Sequence, residues 1–356
     1  MRTTRNIAVL ATLVVAAVGC SGGGGSSSDS SATTASSVAR TTTIPATTVA
    51  ETSTTAPAAP VPVYPLTGLP VTDEAAAQRP AMVVKIDNHG SARPQSGLNE
   101  ADIVFEEIVE SGTRFAVVFH SQGSDPVGPI RSGRTQDVDL LGSLNKPLFV
   151  WSGGNNGVTG VIRKSDLVDL SAQHNEVFSG GGFFRNAARS APHNLYAKTS
   201  MLWTLAPTDA GPPPQQFTYV PTGATATGDS SSGVDLNMDG STVGWRYDAA
   251  SAMYLRTAAG EPHADAESGQ VASSNVIVMI VKYRPSPADS NSPEAQTIGS
   301  GEVLVFTAGR VSRGTWTRGD RLSPVVLTDA GGAVIALAPG RTWVELAKAD
   351  SYTIAA

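Results

Sequence analysis

The stretch "DIVFEEIVESGTRFAVVFH" (102 to 120) decides the fold. Two runs rich in β-branched and aromatic residues flank the short polar break "ESGT", a pattern that suits two strands. A two-residue turn at Ser111-Gly112 makes the pair a hairpin. Val109 then faces Arg114, Glu107 faces Ala116 and Phe105 faces Val118, so Glu107 and Arg114 become diagonal neighbours on an otherwise apolar face. An isolated buried charge costs several kcal/mol, so both must pair or find other hydrogen bonds. Glu106 and Glu110 fall on the opposite face, a half-polar setting that suits solvated carboxylates.

On either side of the hairpin, "AMVVKI" (81 to 86) and "PLFVW" (147 to 151) read as further strands. "TQDVDLLGSL" (135 to 144), "GVTGVIRKSDLVD" (157 to 169) and "KTSMLWTLA" (198 to 206) carry helical signals. Residues 63 to 206 therefore read as a mixed α/β domain. A linker over 207 to 233 follows, because the Pro triplet at 212 to 214 blocks both helix and central strand. From 234 to 356, runs such as "NVIVMIVKYR" (275 to 284), "EVLVFTAGRVSRGTWTR" (302 to 318) and "RTWVELA" (341 to 347) are joined by Gly, Asp and Asn turns. They predict a small antiparallel all-β domain, so the fold class is α+β. "DLNMDG" (235 to 240) opens like a calcium loop, but Arg246 stands where a bidentate Glu is needed, and an Asp-Gly hairpin turn is the better reading.

The first 20 residues read as an export signal, with Arg2 and Arg5 before an apolar run from Ile7 to Val18. That run is shorter than the roughly 20 residues a permanent span requires. Ala17-Val18-Gly19-Cys20 resembles a bacterial lipobox with Ala where Leu is usual, which implies lipidation of Cys20 and anchoring to the outer side of the cell membrane. Cys20 is the sole cysteine, which excludes an intramolecular disulfide, a thiolate cluster and a cysteine nucleophile in the folded part. Residues 21 to 62, rich in Gly, Ser, Thr and Pro, have too little to bury and read as a disordered tether with a span of roughly 35 Å. Their composition also suits an O-glycosylated stalk. A formal charge of -6 without a basic tract argues against a nucleic acid partner.

"GPIRSGRTQ" (128 to 136) places Arg131 and Arg134 where the helix from Thr135 begins. Two guanidiniums at a helix N-terminus suit a phosphate or carboxylate. The competing reading is internal pairing with Asp137, Asp139 or the glutamates of the hairpin. "WSGGNNGVTG" (151 to 160) leaves a strand through glycines and enters a helix, which lets backbone amides approach an anion. "IDNHGSARPQSGL" (86 to 98) adds Asp87, Asn88, His89 and Arg93 beyond a strand end, and "RSAPHNLY" (189 to 196) adds His193 and Asn194. The candidate binding set is Asp87, Asn88, Arg93, Arg114, Arg131, Arg134, His193 and Asn194. For catalysis, Asp87 or Glu107 would serve as base and His193 as acid. No metal or cofactor is expected, and the zinc-peptidase, α/β-hydrolase and penicillin-binding motifs are absent from the sequence.

"YPLTGLPV" (64 to 71), "RPAMVVKIDNHGSARPQSGLNEADIVFEEIVESGTRF" (79 to 115), "GPIRSGR" (128 to 134) and "APHNLY" (191 to 196) resemble the N-terminal domain of the YerB-like lipoproteins. "NVIVMIVKY", "GTWTRGD" and "APGRTWVEL" resemble the companion C-terminal domain. The resemblance implies a two-domain, membrane-anchored bacterial lipoprotein and carries no reaction with it. Three functions remain open: binding of an anionic or carbohydrate envelope component, such as a cell-wall glycopolymer; hydrolysis or transfer on such a polymer; and a structural interaction role with an unknown protein partner.

Overall fold

The 102–120 stretch folds as a hairpin, with its turn one residue earlier than the spacing predicts. The computed structural model describes residues 61–221 and 223–355. The signal peptide, Cys20 and nearly all of the tether lie outside the described residues.

The first half contributes β1 (Met82–Asp87), β2 (Ile103–Val109), β3 (Gly112–Phe119), β4 (Leu148–Trp151), β5 (Val168–Ser171), β6 (Phe183–Arg185) and β7 (Leu195–Ala197). Its helices include α1 (Glu74–Gln78), α2 (Gln136–Leu141) and α3 (Asn156–Arg163). The second half contributes β8 (Gly233–Met238), β9 (Ser241–Asp248), β10 (Met253–Ala258), β11 (Asn275–Ile280), β12 (Lys282–Ser286) and β13 (Asp289–Gln296). β14 (Gly299–Thr307), β15 (Arg310–Arg318), β16 (Val326–Asp329), β17 (Thr342–Ala347) and β18 (Tyr352–Ala355) follow.

In the β2–β3 hairpin Val109 pairs with Gly112, which sets Glu107 directly opposite Arg114 instead of diagonal to it. Gly112 is the reason: its φ of +102° favours glycine, and the structure uses it as the residue after the turn. A shift of two in the paired positions leaves each side chain on its expected face. The Asp239-Gly240 turn is as read, with φ values of +55° and +92° joining Met238 to Ser241.

The helix expected over 157–169 stops at Arg163. Ser165 Oγ donates to Ile162 O and accepts from Leu167 N, a local arrangement that competes with helix continuation and releases β5.

One sheet runs through both halves in the order β16-β15-β14-β11-β17-β2-β3-β1-β4-β5. β17 lies parallel to both β11 and β2, so the second half is not purely antiparallel as expected. Alternation along a strand does not report the direction of its neighbour. The six buried residues of β17 do mark it as a central strand covered on both faces. On one face Val84, Ile86, Phe115 and Val117 pack with Trp245, Tyr254 and Trp343. On the other, Val83, Ile103 and Val118 pack with Leu140, Leu141, Val158 and Ile162 of the helices. Residues 207–233 connect the halves and are pinned to them: Phe217 is buried, Val220 N donates to Leu337 O at 2.8 Å, and Asp229–Ser230 pairs with β15.

Candidate functional site

β1, β4 and β5 are mutually parallel, and their carboxyl ends open onto a crevice, the usual place for a site in an open α/β sheet. The 128–134 segment is tied across this end. Arg131 N donates to Lys85 O at 2.8 Å and Arg131 O accepts from Ser152 N at 3.0 Å. Asp87, the last residue of β1, is buried and gathers the polar groups around it. Its Oδ2 accepts from His193 Nδ1 at 2.6 Å and forms an ion pair with Arg131 Nε at 3.0 Å. Its Oδ1 accepts from His89 N at 3.1 Å. The His89 ring stacks on His193 with centroids 4.9 Å apart and planes at 12°.

Arg114 pairs with Asp87 across β3 and β1 in the backbone ladder, so the two side chains share a face. Among the described residues its only side-chain hydrogen bond runs from Nη1 to Ser132 O, at 3.0 Å. It is 8% exposed and forms no salt bridge with a carboxylate among the described residues. Burial, then the nearby Arg134 and Arg131, lower its pKa to about 10. Arg134 is different: Nε and Nη2 clamp Glu110 at 2.8 and 2.6 Å. Burial opposes charge on Glu110, but hydrogen bonds from Arg134 and Ser292 outweigh it and hold the carboxyl at about 2. Ser132, Arg134, Glu110, Gly153, Asn155 and Ser292 line a cavity of about 300 Å³. The glycine loop singled out in the sequence thus forms one wall. Asn155 there caps α3 through a 2.9 Å bond to Val158 N.

Several expected residues lie elsewhere. Glu107 is fully buried, with Lys85 at 2.7 Å on Oε1 and Gln136 at 2.5 Å on Oε2, so it does not serve the crevice as a base. Lys85 also holds Asp137 at 2.9 Å. Burial, then Asp137, push the Glu107 carboxyl up to about 7. The start of α2 is closed to an external anion, because Asp137 Oδ2 itself accepts from Arg134 N at 2.7 Å. Asn88 and Arg93 point to the opposite face. Arg93 donates to Asn88 Oδ1 at 3.0 Å, and Asn88 donates to Thr113 Oγ1 at 2.8 Å. Asn194 accepts from Arg185 at 2.8 Å and shapes the loop that carries His193.

Glu106, expected to be solvated, is fully buried because the second half covers it. Arg256 Nη2 donates to its Oε2 at 2.6 Å, and Glu345 of β17 pairs with it across the sheet. Arg256 sits 5.0 Å from the Trp343 ring and donates to His263 Nδ1 at 2.6 Å. Burial, then Glu106, drive the Glu345 carboxyl well above the ordinary carboxylate range. This cluster joins the halves and is sealed from solvent.

The candidate set omitted His89 and Glu110, although the 86–98 loop and the hairpin had brought them forward, and sequence reasoning overlooked Ser132 and Lys85. A lone Lys in the apolar run "AMVVKI" is the signal that a buried carboxylate partner exists. A separate cavity of about 300 Å³ between Gln215–Thr218 and Pro324–Leu327 is lined by no ionisable side chain.

Residues 66–211 match the N-terminal domain, and residues 234–344 the C-terminal domain, of a family described as protein of unknown function DUF3048. The chain belongs to the DUF3048 family. It is 29% identical over 293 residues to YerB of Bacillus subtilis, a relative whose name carries the word lipoprotein; the match covers 79% of this chain and 85% of that one. The crystal structure of the YerB protein from Bacillus subtilis superimposes with a TM-score of 0.72 and 26% identity. That match covers 83% of this chain and 99% of the other, so it extends across both family domains.

Proposed function

We propose that this family member is a lipid-anchored lipoprotein on the outer side of the cell membrane, and that its crevice binds an anionic envelope component bearing phosphate or carboxylate. The observation that carries this reading is Arg114, a buried guanidinium with no carboxylate of its own, flanked by Arg131 and Arg134. A buried cation of this kind is stabilised by an oxyanion from outside the fold. Arg131 adds two terminal nitrogens that make no hydrogen bond among the described residues. The paired Arg134 and Glu110 line the cavity beside them.

Calorimetric titration of the full chain with inorganic phosphate, glycerol phosphate and peptidoglycan fragments tests the site. Binding by at least one, together with a rise in melting temperature, is expected. Arg114→Met removes that binding while the fold persists. No heat and no thermal shift at millimolar ligand overturns the reading. Membrane attachment has its own test: Cys20→Ser should release the protein from the membrane fraction and abolish incorporation of labelled fatty acid.

A further inference from the structure

The two stacked histidines are fixed in opposite tautomers by their neighbours. The Asp87 carboxylate, with Arg131 against it, takes the proton side of His193 Nδ1 at 2.6 Å, so neutral His193 presents a lone pair at Nε2. His89 is the reverse: its Nδ1 accepts from Ser91 N at 3.1 Å, so neutral His89 carries its proton on Nε2. Neither Nε2 has a partner among the described residues. The rings lie 4.9 Å apart, close enough for one small ligand to meet both.

Through its other ring nitrogen His193 shares a carboxylate oxygen with Arg131: Asp87 Oδ2 is 3.0 Å from Arg131 Nε and 2.6 Å from His193 Nδ1. A hydroxyl is both donor and acceptor, so the histidine pair is complementary to a hydroxyl or a vicinal diol, while the guanidiniums are complementary to an oxyanion. The carboxylates within or near the site are each held by a cation: Asp87 by Arg131, Glu110 by Arg134 and Glu107 by Lys85. Recognition therefore fits the arrangement better than sugar-bond cleavage does.

We propose that His89 and His193 make this crevice selective for a phosphate with a neighbouring diol, that is, a glycerol- or polyol-phosphate group. The proposal rests on the anion-binding reading of the crevice and adds its ligand class. Such a group occurs at the end unit of a glycerol phosphate polymer, along polymers of longer polyol phosphates, and in the headgroup of phosphatidylglycerol.

The experiment is a calorimetric comparison on the full chain of inorganic phosphate, glycerol 1-phosphate and propyl phosphate, which differs from the second ligand only in lacking both hydroxyls. Glycerol phosphate should bind about tenfold more tightly than propyl phosphate, the scale of one or two partly exposed hydrogen bonds. His193→Phe and His89→Phe, which keep an aromatic ring for stacking, should each weaken glycerol phosphate binding by a larger factor than propyl phosphate binding, and an equal loss for both ligands overturns the diol proposal. Equal binding of glycerol and propyl phosphates by the wild-type protein overturns the diol proposal and leaves the anion site standing. Absence of binding by all three ligands overturns both. Vesicles of phosphatidylglycerol and of phosphatidylserine, set against a soluble glycerol phosphate oligomer, identify the source. Preference for phosphatidylglycerol vesicles points to a lipid headgroup, and preference for the oligomer to a polymer. Binding to phosphatidylserine as tight as to phosphatidylglycerol counts against diol selectivity.

Discussion

At the scale of single residues, the buried charges divide into those that can be neutralised and those that cannot. Glu106 faces Arg256 at 2.6 Å with both side chains fully buried. Glu106→Gln leaves a guanidinium without its counter-charge and should destabilise the protein by about 3–5 kcal/mol in urea unfolding. Glu345 already leans toward its neutral form, so Glu345→Gln should cost less than about 1 kcal/mol. A similar loss from both substitutions would contradict the assignment. Glu110 shows the opposite electrostatic balance. Its folded pKa of about 2 lies below the ordinary 4.5, so its contribution to stability is complete above pH 4.5 and disappears as pH falls toward 2. The stability gap between wild type and Glu110→Gln should be wide at pH 6 and narrow at pH 3, and a gap independent of pH would reject it. At this scale the sequence offered candidate polar residues but not which acid each arginine would meet. The partners of Glu106 and Glu110, Arg256 and Ser292, come from the far half of the chain, 150 and 182 positions away.

At the scale of elements, the hairpin was legible as a hairpin, and the exact register was not. Local spacing allows the turn to fall on either side of Ser111, and glycine serves equally well inside a turn or just after it. The positive φ of Gly112 selects the second arrangement. Gly112→Ala should therefore cost about 1–3 kcal/mol, read as a lower denaturation midpoint with an unchanged slope. The nearest atom to a Cβ added there, Ser241 Oγ at 3.4 Å, is too distant to clash, so the cost is conformational; no loss of stability would show that the turn had relaxed. The helix-to-strand change after Arg163 was hidden for a related reason. Ser165 acts through its side chain, which a periodicity of apolar residues does not register.

At the scale of the whole molecule, composition correctly indicated two halves, one mixed and one rich in strands, because each half has its own local pattern. It gave no sign that a single sheet joins them, since strand pairing between distant segments leaves no local trace. The β2–β17 ladder and the Arg256–Glu106 pair make the halves mutually dependent. Calorimetry should show one unfolding transition for residues 61–355, and a fragment ending at residue 206 should be unfolded or aggregated. Two well-separated transitions would refute that dependence. The same ladder has a consequence for biogenesis. β17 is synthesised long after β2, yet it fills the gap between β2 and β11. A chain that folds as it emerges from its amino end must keep its first half unfinished, with one open strand edge, until β17 arrives. Completion of the first half thus has to wait for Thr342–Ala347, and a holding chaperone would find its binding surface along Ile103–Val109.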